Sequence, residues 1–351
     1  MEDYLKKIKL LNNLTLQPED KIIKAMQRLN TEGPKFQLIV NYEGKLLGTV
    51  TDGDIRRAIM KEFTADSSVV DCMHKNPTIG RVTNPKRHRK LFNSFTSLLK
   101  FLPVVDSNDI LKYVFVSEYK HNNKSALIMA GGFGKRLGKK TKNIPKPLLK
   151  IGNKPILESI LQKLEKANFQ NIYISTYYLH KKIENFIKKR PSKANIKILL
   201  EDSPLGTAGS ISLISEEDRD FLMVVNGDVI SDINFEAMAL FHSEKLNDIT
   251  ITVSKYSQEI PFGVIDLDKR LNFKNLKEKP VFNYYILSGI YCMNRKVCDL
   301  VNNEYLDMTA LIEKAHLLDN KIGIFPIHEF WKDVGNLEDF NQVEKKKNKS
   351  N

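Results

Sequence analysis

The segment ALIMAGGFGKRLGKKTKNIPKPLL, residues 126–149, places three glycines directly after an apolar run. Gly131, Gly132 and Gly134 follow Ala130, and without Cβ atoms they let main-chain N–H groups approach an anion closely. The spacing fits neither a P-loop nor the dinucleotide fingerprint, whose last glycine would fall on Leu137. A tight turn on a sheet explains three glycines equally well, so their neighbours must decide between the two interpretations.

Positive charge follows the glycines. Arg136, Lys139 and Lys146 can converge on a triphosphate, and each charge pair at ~4 Å contributes on the order of 4 kcal/mol at an effective dielectric of about 20. Pro145 and Pro147 restrict the backbone on both sides of Lys146 and so fix the direction in which its side chain leaves the chain. A solvated basic loop needs no such restriction. The segment therefore predicts a site for a phosphorylated ligand.

An acidic residue ends a second apolar run, in FLMVVNGDVI, residues 221–230. Asp228 would face the same crevice as the glycines, where a hard divalent cation requires carboxylate oxygen. Aspartate at the end of a strand is also common as a turn former, which is the alternative interpretation.

Two further segments contain polar groups that could bind a ligand. EDSPLGTAGS, residues 201–210, predicts the start of a helix whose free N–H groups could bind a ligand, although Thr207 and Ser210 suit an ordinary capped turn as well. NLKEKPV, residues 275–281, places Glu278 and Lys279 before a proline, and an exposed pair of this kind is otherwise unremarkable.

Strands and helices alternate through the part of the chain that carries these residues. SALIMA, NIYIST and FLMVVN predict buried parallel strands, and PILESILQKLEKAN predicts a helix with apolar residues at helical spacing. This order favours an α/β fold, Rossmann-like, with a mixed, mostly parallel sheet covered by helices. Ligands of such sheets bind beyond the carboxyl ends of the strands.

The first third of the chain follows another pattern. FQLIVNYEGKLLGTVTDGDIRRAIMKE predicts a strand, a turn at Glu43 and Gly44, a strand, and a helix with Asp52 and Asp54 as N-cap candidates. FLPVVDSNDILKYVFVSE repeats the strand, turn and strand after roughly 60 residues. We expect an α+β region at 1–119, with repeats at about 1–62 and 63–119, a linker at 120–124, a second domain at 125–345 and a basic tail at 346–351.

Composition limits the classes of function. The chain has 351 residues, a net charge of +13 and three cysteines without a CxxC pair. The length favours more than one domain, and the charge favours phosphorylated ligands. Because no zinc-finger, basic-zipper or RNP-like pattern accompanies the charge, we expect no nucleic-acid partner. The cysteine count and the lack of a signal-peptide or transmembrane run predict a cytoplasmic protein without a membrane partner.

The segment AGGFGKRLGKKTKNIPKPLL resembles the signature of nucleoside-diphosphate-sugar pyrophosphorylases, the sugar-1-phosphate nucleotidyltransferases. The resemblance extends over about residues 125–345 and implies a nucleoside triphosphate and a sugar 1-phosphate as substrates. It implies that Ala130 and the three glycines hold the base and ribose. It also implies that Arg136 and Lys146 bind the nucleotide phosphates, with Lys146 assisting the departure of pyrophosphate.

The same resemblance assigns the base side and the metal. The form E-x-x-P-L-G-T-A-G is similar to guanylyltransferases and to some uridylyltransferases, which makes Leu205, Gly206 and Gly209 the residues beside the base. The segment FWKDVGN matches the family's W-x-D-x-G motif, so Asp333 is implied as the partner of Asp228 in binding Mg²⁺.

The sugar side is also implied by resemblance. Glu278 would hydrogen-bond the sugar hydroxyls, Lys279 would bind the sugar phosphate, and Gly263 and Gly289 would contact the sugar. One position departs from the family, because relatives often have asparagine where this chain has Leu287. The loss of that polar group puts a direct transfer of sugar identity in doubt.

In the N-terminal region, LLGTVTDGDIRR resembles the signature of a CBS domain, and its echo resembles the second member of a CBS pair. Thr51 and Asp54 match the residues that grip the ribose of an adenine nucleotide in that family. Phe115 and Glu118 stand at the corresponding places in the second repeat, so that site departs from the family pattern. The alternative is that Asp54 only caps its helix and Thr51 only fills a strand.

Together these resemblances imply an Mg²⁺-dependent enzyme that makes an NDP-sugar and pyrophosphate, with GTP favoured as the donor. GDP-glucosamine, in bacterial surface-sugar synthesis of the legionaminic acid type, is the implied product. A uridylyl reaction and mannose or heptose 1-phosphate remain as alternatives, as does a catalytically silent nucleotide sensor. CBS pairs commonly associate face to face, which implies a homodimer.

Overall fold

The computed structural model describes residues 5–9, 11–30, 33–117 and 123–348. Its strands are β1 (Leu5–Ile8), β2 (Thr15–Leu16), β3 (Phe36–Val40), β4 (Leu46–Thr51), β5 (Gly80–Arg81), β6 (Phe101–Val105), β7 (Leu111–Ser117), β8 (Ser125–Met129), β9 (Lys150–Ile151), β10 (Lys154–Pro155), β11 (Asn171–Thr176), β12 (Asn195–Leu200), β13 (Leu222–Asn226), β14 (Val229–Ser231), β15 (Ile249–Glu259), β16 (Val264–Leu267), β17 (Phe273–Lys277), β18 (Val281–Met293), β19 (Ile322–Ile327) and β20 (Trp331–Asp333). Its α-helices are α1 (Ile22–Leu29), α2 (Asp52–Met60), α3 (Lys86–Asn93), α4 (Ile156–Lys166), α5 (His180–Lys188), α6 (Phe235–Glu244), α7 (Arg295–Cys298), α8 (Met308–Leu317) and α9 (Leu337–Asn348).

A seven-stranded sheet organises the larger part of the chain, in the order β12-β11-β8-β13-β18-β15-β19. All neighbouring pairs are parallel except β13 with β18 and β18 with β15. The predicted Rossmann-like, mixed and mostly parallel sheet is therefore confirmed. Part of the predicted linker, 120–122, and part of the predicted basic tail, 349–351, lie outside the described residues.

Helices cover both faces of this sheet. Alternation along β8 sends Ala126 and Ile128 to one core and Leu127 to the other, as expected for a strand buried on both sides. The first core receives apolar side chains from α4, α5, α6 and α9, and the second receives them from α7 and α8. Strands β8 and β13 therefore lie between these two layers.

The N-terminal region contains two smaller sheets, in the orders β2-β3-β4 and β1-β7-β6-β5. The first unit runs β2-α1-β3-β4-α2, and the second repeats it as β5-α3-β6-β7. No counterpart of α2 lies between β7 and β8 in the described part of the chain. Strand β1 pairs antiparallel with β7, so the first strand of the described residues completes the sheet of the second unit.

The start of α2 differs from the sequence prediction. The N-cap is Thr51, rather than Asp52 or Asp54. Thr51 Oγ1 accepts a hydrogen bond from the Asp54 backbone N–H, and the Asp54 carboxylate accepts one from the Thr51 backbone N–H at 2.8 Å. This reciprocal capping box satisfies two N–H groups at once, which explains why the threonine takes the cap position.

A buried arginine of α2 joins the N-terminal region to the large sheet. Arg56 is 1% exposed, donates to the Pro326 carbonyl, and stacks its guanidinium 3.6 Å from the centre of the Phe325 ring. The same group forms ion pairs with Asp52 at 2.7 Å and with Glu329 at 2.9 Å. Through these contacts Arg56 links the N-terminal region to the end of β19 in the large sheet.

Strands β15 and β18 continue beyond the sheet as a two-stranded ribbon. We call residues 255–287 the arm, which includes the paired hairpin of β16 and β17. At its base a bulge places residues 288–290 of β18 opposite Thr252 alone, with Gly289 at φ +73°. A positive φ of this kind suits glycine, and the bulge redirects β18 as it leaves the sheet.

Candidate active site

Asp228, Asp333 and Lys146 meet at the carboxyl edge of the sheet. Asp228 follows β13, and Asp333 ends β20, which pairs with β14 in a register that sets Val229 opposite Asp333. Lys146 Nζ forms a hydrogen-bonded ion pair with the Asp228 carboxylate and lies 3.9 Å from Asp333 Oδ1. The short β14–β20 pairing is what brings together two acids that are distant in the sequence.

Burial and a neighbouring charge perturb one of these acids. Burial raises the pKa of Asp333, the Asp228 carboxylate raises it further, and Lys146 and Arg136 act in the opposite direction. In the described part of the chain Asp333 Oδ1 is buried without a hydrogen-bond partner. Two converging carboxylates, one with an unsatisfied oxygen, form a donor set that suits a hard divalent cation. Asp228 and Asp333 therefore fit the metal-binding role.

Arg136 faces the same space from a 3₁₀ segment, Lys135–Thr141. A Cβ atom on Gly335 would lie 3.7 Å from Arg136 Nη1 and 3.6 Å from Asp333 Oδ2. The guanidinium and the carboxylate therefore border one small volume that Gly335 leaves open. Both members of the predicted phosphate-binding pair, Arg136 and Lys146, therefore lie close to Asp333.

The glycine loop forms one wall of the site. Ala130 is buried and its N–H donates to the Ser175 carbonyl at 2.8 Å, which fixes the loop to the end of β11. A Cβ atom on Gly132 would meet nothing within 4 Å, so open space adjoins the backbone there. Gly134 has φ +62° and begins the 3₁₀ segment that carries Arg136. The loop thus leaves its backbone accessible to a ligand.

One buried acid beside this wall was not singled out in the sequence analysis. Glu201 follows β12 directly and is 6% exposed; it accepts hydrogen bonds from the Ser175 hydroxyl and from the Leu205 N–H, the latter at 2.9 Å. A Cβ atom on Gly131 would lie only 3.0 Å from Glu201 Oε1. Its position just after an apolar run was the available signal, the same one that identified Asp228.

The residues predicted to lie beside the base, Leu205, Gly206 and Gly209, follow Glu201 along the chain. Leu205 is buried, and Gly206 has φ +77°, where an added Cβ atom would lie 2.5 Å from the Leu306 carbonyl oxygen. A Cβ atom on Gly209 would collide with the Glu304 carbonyl oxygen. Both glycines are therefore also required for packing against residues 304–306. The predicted helix here is a short 3₁₀ segment, Gly209–Leu213.

The predicted sugar-side residues lie on and beside the arm. Gly263 is close to Glu278, because a Cβ atom on Gly263 would lie 3.2 Å from Glu278 Oε2. Lys279 has φ +44°, and its N–H donates to the Phe262 carbonyl at 3.3 Å. No hydrogen bond or ion pair of the described residues joins this group to Asp228. Gly289, by contrast, packs against Asn226, two residues before that aspartate.

The CBS-type residues lie apart from this site, at the start of α2. Asp54 accepts hydrogen bonds from the Thr51 N–H and hydroxyl and forms an ion pair with Arg57 at 2.5 Å. These contacts use the oxygens with which Asp54 would bind a ribose, so the capping role has direct structural support. Phe115 lies on β7, and Glu118 lies outside the described residues.

Comparison with known proteins finds a matching family model for each of the two parts of the chain. A family model described as nucleotidyl transferase matches residues 125–350, and a CBS domain model matches residues 6–61. The chain belongs to the nucleotidyl transferase family. Nucleotidyltransferases of this family generally use divalent metal ions. Across the described ranges, no helix of this nucleotidyltransferase has the length and hydrophobicity needed to cross a membrane.

Its curated relatives include guanylyltransferases. It is 33% identical over 223 residues to the mannose-1-phosphate guanylyltransferase catalytic subunit beta of Xenopus tropicalis, covering 61% of this chain and 62% of the relative. It is 32% identical over 224 residues to a probable mannose-1-phosphate guanylyltransferase 1 of Oryza sativa subsp. japonica, again covering 61% and 62%. The nucleotidyltransferase thus matches less than two thirds of the length of these relatives.

Two solved structures share the fold. HddC from Yersinia pseudotuberculosis, complexed with GMP-PN, aligns with TM-score 0.50 and 23% identity over 64% of this chain and 99% of its own. A putative glucose-1-phosphate thymidylyltransferase from Bacillus anthracis, in complex with a sucrose, aligns with TM-score 0.50 and 20% identity over 63% of this chain and 94% of its own. At these identities the similarity supports the fold of the catalytic part.

Proposed function

We propose that this nucleotidyltransferase transfers a guanylyl group from GTP to a sugar 1-phosphate and releases pyrophosphate. The observation that carries the proposal is the meeting of Asp228, Asp333 and Lys146 beside an open glycine loop. The guanylyl donor is supported by the names of relatives that are 32–33% identical to this chain.

The reaction forms one P–O bond and breaks another. A sugar phosphate oxygen attacks the α-phosphorus of GTP in line, and the bond to the β-phosphate breaks to release pyrophosphate. The nucleophile needs no general base, because a phosphate monoester is largely ionised at neutral pH. Arg136 and Lys146 stabilise the negative charge of the phosphates, and the glycine loop orients the nucleoside. Catalysis then depends on positioning the two substrates and on stabilising the negative charge of the phosphates.

Asp228 and Asp333 would hold the divalent cation, with Mg²⁺ as the ion we propose. A bound Mg²⁺ supplies positive charge that reduces repulsion between the two phosphorylated substrates. The carboxylates themselves fix the site, because both are anchored by the β14–β20 pairing and by Lys146.

For the acceptor we propose glucosamine 1-phosphate, giving GDP-glucosamine for surface-sugar synthesis of the legionaminic acid type. This choice follows from the resemblance of the fused CBS and transferase arrangement. Mannose 1-phosphate is the second candidate, because the relatives carry it in their names. Leu287, where the family often has asparagine, removes a polar group near the sugar, so this chain and those relatives would contact the sugar differently.

A matrix of the four NTPs against glucosamine, mannose, glucose and heptose 1-phosphates, read by pyrophosphate release, tests the proposal. We expect release with GTP and one sugar 1-phosphate, and none from the Asp228→Asn variant. Release with UTP alone would replace the guanylyl assignment with a uridylyl one. An absence of release with every pair would favour the silent nucleotide sensor.

We further propose that the CBS region binds an adenine nucleotide near Thr51 and Asp54 and that the protein is a homodimer. Binding would require the nucleotide to displace the present partners of Asp54.

The unpaired state of Cys72, Cys292 and Cys298 supports a reducing, cytoplasmic location.

A further inference from the structure

The start of α2, which carries the CBS-type residues, faces helix α6 of the catalytic part across a small cavity. Thr51 and Gly53 line the cavity from the side of the N-terminal region. Ala237, Leu240 and Phe241 line it from α6, at positions that share one face of that helix. The catalytic part therefore forms a wall directly opposite the residues that match the nucleotide-binding pattern of CBS domains.

The cavity is too small for a nucleotide. Its volume is about 40 Å³, which gives room for a few water molecules. Cavities that bind small organic ligands have volumes of roughly 300–1,000 Å³. An adenine nucleotide whose ribose contacts Thr51 would therefore overlap α6 in the present arrangement. Such a ligand can bind there only if α2 and α6 move apart.

Polar contacts at both ends of α6 hold this helix against the N-terminal region. Glu244, the last residue of α6, accepts hydrogen bonds from the Ser97 hydroxyl at 2.5 Å and from the Leu99 N–H at 3.2 Å. Glu236, in the first turn of α6, forms an ion pair with Lys35 at 3.2 Å. Helix α6 can move away from the start of α2 only if these contacts break.

Movement of α2 is opposed by its buried arginine. The Arg56 guanidinium donates to the Pro326 carbonyl and forms an ion pair with Glu329 at 2.9 Å, so α2 is attached to the end of β19. Breaking a buried ion pair of this kind leaves an uncompensated charge and is strongly unfavourable. Widening the cavity from either side therefore requires the N-terminal region and the catalytic part to separate.

We propose that binding of an adenine nucleotide at the start of α2 and docking of α6 on the N-terminal region exclude each other, so that the nucleotide separates the two parts. This inference rests on the proposed function, in which the nucleotide contacts Thr51 and Asp54. The apparent dissociation constant is then the intrinsic one divided by the fraction of molecules that are undocked. By linkage, a change that weakens docking strengthens nucleotide binding, and the nucleotide weakens docking by the same factor.

Calorimetric titration of the full chain with AMP tests the proposal by comparing two leucine variants. Leu240→Ala shortens a side chain that lines the cavity, whereas Leu246→Ala shortens a leucine that is 81% exposed just beyond α6. We expect Leu240→Ala to lower the dissociation constant of AMP at least about tenfold, and Leu246→Ala to leave it unchanged. Adding Thr51→Val to Leu240→Ala should abolish the gain, because the ligand would lose its contact at the start of α2.

Glu244→Ala keeps the test decisive if Leu240→Ala fails to fold, because Glu244 is exposed and its loss removes the contacts with Ser97 and Leu99. Adenosine, which carries no phosphate, should gain affinity by the same factor as AMP, so the effect does not depend on the lost negative charge. Amide hydrogen exchange of the wild type at saturating AMP should become faster in residues 235–244, as separation of α6 requires.

The possible failures are distinguishable. Equal AMP affinities in the wild type, Leu240→Ala and Glu244→Ala would overturn the mutual exclusion and leave the proposed nucleotide site intact. A gain that persists when Thr51→Val is added would place the ligand elsewhere and would also overturn it. Binding of AMP, ADP and ATP to none of the proteins would remove the proposed nucleotide site itself, and this inference with it.

Discussion

The ammonium group of Lys146 lies close to the carboxylates of both Asp228 and Asp333, so both carboxylates contribute negative charge to the same site. We expect Asp228→Ala to lower turnover by at least about a hundredfold, the scale seen when one electrostatic stabiliser is lost. Pyrophosphate release at saturating Mg²⁺ measures the change. Asp232→Ala, which removes an exposed carboxylate four residues further on, is the matched control and should leave turnover near the wild-type value. Near-normal activity of Asp228→Ala would remove this aspartate from the site.

Lys279 provides a second test at the level of one residue. Its role in binding the sugar phosphate predicts that Lys279→Ala raises the KM for the sugar 1-phosphate more than the KM for GTP. Steady-state kinetics with each substrate varied in turn measure both constants. Lys277→Ala is the control, because Lys277 lies on the same arm and faces Asp266. An unchanged sugar KM together with weaker nucleotide binding would contradict the assignment.

Several of these residues could be found from the sequence, and the reason differs between them. Asp228 was visible because it directly follows an apolar run, whereas Asp333 required a family motif, since nothing local connects it to Asp228. Glu201 has the same local signal as Asp228, but its buried hydrogen bonds to Ser175 and Leu205 become apparent only when β11 and β12 are adjacent.

Among the elements, the bulge in β18 has the clearest consequence for the site. Gly289 has φ +73°, and an added Cβ atom would lie 2.7 Å from Asn226 Nδ2. We expect Gly289→Ala to destabilise the fold by about 1–3 kcal/mol and to lower turnover by displacing Asn226 and the aspartate that follows it. Urea unfolding and pyrophosphate release measure the two effects.

Gly132→Ala is the comparison for this prediction. Its added Cβ atom would meet nothing within 4 Å, so stability should remain within about 0.5 kcal/mol of the wild type. Equal losses of stability in the two variants would show that the bulge has no special requirement for glycine.

The elements themselves were predictable where the hydrophobic pattern was strong. The runs SALIMA, NIYIST and FLMVVN predicted β8, β11 and β13, respectively, to within a residue, because strands buried on both faces are continuously apolar. The cap of α2 was predicted wrongly, because two aspartates compete with Thr51 and only the backbone geometry decides between them. The bulge in β18 could not be predicted, since it depends on the register with β15.

In the molecule as a whole, Arg56 determines how the N-terminal region and the large sheet hold together. We expect Arg56→Ala to lower the free energy of unfolding by about 3–5 kcal/mol, because Asp52 and Glu329 would lose the cation between them while Glu329 remains buried. Chemical denaturation followed by fluorescence and circular dichroism measures the loss.

Arg57→Ala is the matched control, because its side chain is 58% exposed and its ion pair with Asp54 contributes about 0–1 kcal/mol. The double variant Arg56→Ala, Glu329→Gln should recover part of the stability that the single variant loses. A single variant as stable as the wild type would mean that the two parts do not depend on this contact. No local pattern predicted it, since Arg56 and Pro326 are separated by most of the chain.

Strand β1 has a further consequence for how this protein can be altered. Because residues Leu5–Ile8 leave the first unit and complete the outer edge of the second, neither unit can be cut out at the boundary that the repeat suggests. A chimera that exchanges only the first repeat would remove a neighbour from β7 and expose a row of unpaired N–H and C=O groups. The natural module for transplantation is the entire N-terminal region, taken together with its opening strand.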